Sequence, residues 1–130
     1  MSNKHKYRNG PAFVSLSLDL LNSKAFVTLP FAPRAMLPYF CAKVKVPLED
    51  PARYKTSFVF PYGEAGRYGC ARRTFFKVVC DLMLRGFIDP VSKGGLRGSC
   101  KTISTFRLSQ RWKDYGMSNF QESRWQGFVN

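Results

Sequence analysis

Between Gly69 and Gly86 the chain reads CARRTFFKVVCDLMLR, and this stretch limits the possible folds more than any other. Phe75, Val78, Val79 and Leu82 stand at i, i+3, i+4 and i+7, the spacing that lays one apolar face along an α-helix. The expected helix runs from about Ala71 to Arg85. Gly69 ahead of it can end an earlier helix through a left-handed turn, and Gly86 ends this one. At about 100° per residue Arg73 and Lys77 fall nearly opposite the apolar stripe, with Arg72 and Thr74 beside them in the first turn. The helix therefore holds a cationic face outward.

The flanks supply its neighbours. FVF at 58–60 is a short strand candidate, and Pro61 opens a brief helix, PYGEAGRY. FIDPV (87–91) and TISTFRL (102–108) are two further strands, separated by SKGGLRGSCK. Three glycines and the cations Lys93, Arg97 and Lys101 make that connection an extended, positively charged hairpin tip. Ser109 can cap a last helical turn, QRWKDYG. Upstream, TLPFAPRAMLPYFCAKVKV predicts a helix starting within 28–33, with Ala32, Met36, Phe40 and Val44 at helical spacing and Pro38 kinking it or delaying its start. Leu16, Leu18, Leu20 and Leu21, closed by Asn22-Ser23, suggest a short helix or an extended lead-in. PLEDPARYKTS reads as a surface loop, Tyr68 as core, and residues 1–12 as a flexible basic arm.

The chain's 130 residues fit one domain, spanning 13–116, followed by a tail at 117–130 whose Phe120, Trp125 and Phe128 are expected to pack on the domain or on a twin subunit. Lys and Arg number 21 against 8 Asp and Glu, a net charge of +13. The excess is spread over the folded part as well as the arm, and such an imbalance points to a polyanionic partner, most often nucleic acid. Cys41, Cys70, Cys80 and Cys100 form no C-x-x-C pair and His5 is the lone histidine, so no zinc site or other cofactor is expected. Cys70 and Cys80 are read as apolar fillers, and free thiols in a reducing cytoplasm are expected. With no apolar run of membrane length, no convincing carboxylate pair outside Glu49-Asp50 and no phosphate-binding glycine loop, neither a membrane protein nor an enzyme is expected.

In order, the second half reads strand, short helix, glycine turn, longer helix, hairpin. With Ala65 small where two helices touch, Gly69 four residues on and the LMLRGFI exit, residues 58–116 resemble bacterial and phage winged helix-turn-helix domains. LSQRWKDYG is similar to the sequence that closes many of them, including those of mobile-element replication and regulatory proteins. The resemblance departs from the pattern at Ala71, where a capping Ser is common, at Pro38, and at Glu64, a usually apolar place. It implies a mainly α fold with a small β-hairpin. It further implies double-stranded DNA as partner, read by Arg72, Arg73, Thr74 and Lys77, with Arg67 on flanking backbone and Lys93, Arg97 and Lys101 in the wing. An alternative for Lys77, Asp81 and Arg85, spaced by four, is a solvated salt-bridge ladder. Rival readings of the whole are an RNA-binding domain and a protein-interaction module, and a homodimer through the Leu-rich lead-in and the aromatic tail is a further expectation.

Overall fold

Two serines start the described chain's helical part. Ser17 and Ser23 each accept a backbone N–H three residues on, from Leu20 and Phe26 at 3.1 Å, and so cap the one-turn helices α1 (Leu18–Leu21) and α2 (Lys24–Val27). The structure, a computed structural model, describes residues 12–91 and 105–122. Helix α3 (Phe31–Cys41) begins as expected, with Pro33 in a first turn that needs no N–H donor. Pro38 does not delay it. The ring removes only the donor to the Arg34 carbonyl, and the helix resumes with Ala42 N–H donating to the Pro38 carbonyl at 2.9 Å.

A 3₁₀ turn η1 (Pro51–Tyr54) follows, then β1 (Ser57–Val59), α4 (Tyr62–Arg67), α5 (Arg72–Leu84), β2 (Ile88–Pro90), β3 (Thr105–Leu108) and a second 3₁₀ turn, η2 (Arg111–Asp114). The described residues thus form five α-helices and a three-stranded antiparallel sheet of order β1-β3-β2. The hairpin expected from the sequence is widened by a third strand: Phe58 pairs with Phe106 on one side of β3, and Ile88 with Leu108 on the other. Pro90, which has no N–H to give, lies on the edge strand β2. PLEDPARYKTS is not wholly a surface loop, because Arg53 within it is buried.

Packing converges on Phe40 of α3, which is fully buried. Its ring stacks 4.3 Å from Phe60 and lies 6.0–6.2 Å from Phe58, Phe75 and Phe106, so one side chain joins α3, the sheet and α5. The predicted stripe of α5 is the buried one: Phe75, Val78, Val79 and Leu82, with Met83 added.

α5 ends in a Schellman turn, Phe87 N–H to the Leu82 carbonyl and Gly86 N–H to that of Met83, with Gly86 at φ +90°. Arg111 then locks η2 beneath it. Its guanidinium meets Asp89 Oδ1 at 2.6 Å and the carbonyls of Met83, Ile88 and Gln121, and it stands over the Phe120 ring. Phe120 packs on the domain edge-to-face with Tyr115. Trp125 and Phe128 lie outside the described residues, as do the arm to residue 11 and the hairpin tip.

Candidate nucleic-acid interface

The turn between α4 and α5 is built by hydrogen bonds that only a left-handed residue allows. Cys70 N–H donates to the Ala65 carbonyl and Gly69 N–H to that of Gly66, both at 3.1 Å, with Gly69 at φ +86°. Ala65 has no exposed surface where α4 meets α5, so a larger side chain there would push the helices apart. Glu64, unusual for its place, accepts from Lys43 Nζ at 2.6 Å and from the Tyr68 hydroxyl at 3.2 Å; it ties α4 to the end of α3.

This frame presents the first turns of α5. Arg72, Arg73, Thr74 and Lys77 are exposed, and Arg67 is exposed at the end of α4. The Arg72 guanidinium lies 4.7 Å above the Tyr62 ring, which fixes its direction while leaving its in-plane donors open. The two salt bridges among the described residues, Lys43–Glu64 and Arg111–Asp89, use none of these cations. Ala71, the N-cap, offers no side-chain hydrogen bond, and no acidic residue occupies the first turn. A helix N-terminus carries unsatisfied N–H groups and about half a positive charge, so Arg72 and Arg73 stand where cations are least favourable.

Two expectations change here. Arg85 is no member of a solvated ladder: its Nη1 donates to the Ala25 carbonyl at 3.2 Å and to Thr28 Oγ1, and the group lies 5.0 Å over the Tyr115 ring. It is a brace from α5 to α2. Tyr68 is not core but partly exposed, stacked on Tyr39 with centroids 4.0 Å apart. Lys93, Arg97 and Lys101 lie outside the described residues.

Sequence reasoning passed over Arg107, exposed on β3 between the buried Phe106 and Leu108. The strict alternation of TFRL carries that signal. Burial pushes the Cys41 thiol up to about 11 and raises that of Cys70, which favours the protonated thiol at both. Among the described residues no group of three or more His, Cys, Asp or Glu is placed to hold a metal ion, and no helix is long and apolar enough to cross a membrane. Comparison with protein-family models, with curated proteins and with solved structures finds no match to this chain.

Proposed function

We propose that this protein binds double-stranded DNA as a winged helix-turn-helix, with α4 and α5 as the helix pair and β2 and β3 as the stems of the wing. The observation that carries the reading is the start of α5, where exposed Arg72, Arg73 and Lys77 have no carboxylate partner among the described residues and no cap relieves the helix terminus. In this arrangement α5 enters the major groove by its first turns. Arg73 and Lys77 face base edges and phosphate, Thr74 adds a hydroxyl, Arg72 clamps phosphate from its seat on Tyr62, and Arg67 reaches flanking backbone. Lys93, Arg97 and Lys101 contact phosphate or the minor groove from the wing. The sheet order supports the plan, because β1 holds β3 and thereby the wing against the body.

The role is that of a transcriptional regulator or a mobile-element replication protein, acting as a homodimer on two half-sites. Fluorescence anisotropy of a labelled duplex across a salt series tests the reading. Five to eight neutralised phosphates give a log–log slope of about −5 to −7. Absence of binding even at low salt refutes it. Displacement of the duplex by single-stranded RNA at equal or lower concentration replaces it with the RNA-binding alternative.

A further inference from the structure

Arg53 is the one charged residue buried among the described residues, 6% exposed. Asp50 caps the short turn η1 that carries it. Its Nη1 donates to the Val46 carbonyl at 3.0 Å, and the Cys41 thiol lies within its hydrogen-bonding reach. A guanidinium has five N–H donors in a fixed fork. Three of them therefore have no acceptor among the described residues, and neither salt bridge includes Arg53. Cys41 is not the missing counter-charge, since its thiol, pushed up to about 11, is neutral at neutral pH. A buried cation is unfavourable until an anion completes it.

The space for one is at hand. Arg53 helps to wall a cleft of about 370 Å³ between the extended segment 12–15 and the turn at 42–48, and Cys41 and Lys45 line it too. Lys45 is exposed and adds a second positive charge, and no acidic side chain lines the cleft. Phe13, 82% exposed, and buried Val44 supply an apolar wall. The volume is that of a small-molecule site.

We propose that this cleft binds a small organic anion, whose carboxylate or phosphate group pairs with the open edge of Arg53 and with Lys45 while its apolar part lies against Phe13 and Val44. The planar guanidinium suits both groups, because each offers two oxygens to parallel N–H donors. Duplex DNA does not fit the same place: a phosphate on a stiff double helix stays at the surface, and Arg53 lies beneath it. The site stands without the DNA-binding reading and is tested without DNA.

Titrating the isotope-labelled full chain with inorganic phosphate, with hexanoate and with a cationic control, choline, and following amide and Arg53 Nε–H resonances, decides it. The expected result is a saturable shift confined to Ser15, Lys45, Val46 and the Arg53 side chain with phosphate, hexanoate or both, and none with choline. The stronger of the two ligands identifies the group recognised. Lys45→Glu, at an exposed position that leaves the core intact, weakens binding roughly tenfold, and Arg53→Met abolishes it if the variant folds. Shifts that stay linear, that spread over all basic side chains, that survive Lys45→Glu unchanged, or that a short duplex reproduces at the same residues would each overturn the proposal.

Discussion

Gly69 and Gly86 share a backbone conformation, φ +86° and +90°, but not surroundings, and the difference can be measured. A Cβ on Gly69 meets nothing within 4 Å. A Cβ on Gly86 lies 2.6 Å from Trp112 N and 2.7 Å from the Arg111 carbonyl carbon, both backbone atoms that cannot swing aside. Alanine at either place costs about 1–2 kcal/mol for the left-handed conformation. At Gly86 it must also push η2 away. That adds about 1–3 kcal/mol of overpacking and about 1 kcal/mol for the Trp112 N–H bond to the Gly86 carbonyl, now 3.1 Å. Gly86→Ala should thus lose about 3–6 kcal/mol and Gly69→Ala about 1–2 kcal/mol, out of a total of order 10 kcal/mol. With a urea m-value of about 2 kcal/mol/M, the extra loss of about 2–4 kcal/mol puts the midpoint of Gly86→Ala about 1–2 M below that of Gly69→Ala. The entropy that alanine removes from the unfolded chain is common to both and cancels. Equal midpoints for the two variants would refute the close approach of η2 to the end of α5.

Arg85→Ala removes the brace between α5 and α2, leaves the Ala25 carbonyl without that donor, and should cost about 2–3 kcal/mol in denaturant unfolding; duplex affinity of the folded fraction stays unchanged, which a surface salt-bridge role at the DNA face would not allow. For the proposed homodimer, light scattering should give two copies for the full chain and one for a chain ending at Gly116. A full-length monomer at tens of micromolar, or a shortened chain that remains dimeric, removes the tail from the interface.

What could be read from the sequence is what local chemistry determines. The α5 stripe and the left-handed glycines Gly69 and Gly86 depend on residues a few positions apart. Partners far along the chain decided the rest. The Ser57–Val59 strand is only three residues long, and its pairing with Thr105–Leu108 has no local mark. Arg85 sits at ladder spacing from Asp81, yet its acceptor is 60 residues away on α2. Tyr68 follows the short helix YGEAGR and reads as core, but Tyr39 offers it a stacking face at the surface. Arg53 was hidden by its setting, two prolines and two acids, which reads as polar surface until the chain folds back over it. In the candidate interface, exposure of Arg72, Arg73 and Lys77 was legible from the helical wheel. The seat of Arg72 on Tyr62 and the diversion of Glu64 to Lys43 were not.

The disposition of acids gives the last prediction its force. Asp89 is spent on Arg111 and Glu64 on Lys43, both inside the fold's joints, while Asp50 caps η1 and Asp19 lies in the first turn of α1. Acids stand at these helix starts, where they stabilise, and α5 begins with two arginines and an alanine cap. Under the proposed function, the duplex that α5 meets accounts for these cations. Arg73→Glu therefore works in opposite directions on folding and on binding. It removes a cation from the positive end of the helix and adds an anion there, each worth about 0.3–1 kcal/mol, so the variant should be more stable by about 0.5–2 kcal/mol at low ionic strength. It should also bind duplex at least about thirtyfold more weakly, because a base or phosphate contact becomes a repulsion. Lys55→Glu, the same charge change at an exposed position beyond η1, controls for the overall field and should shift affinity only through the salt-dependent term. Denaturant unfolding and anisotropy on the same preparations read both effects. A less stable Arg73→Glu, or one that binds as tightly as Lys55→Glu, would mean that the start of α5 is not turned toward an anionic partner.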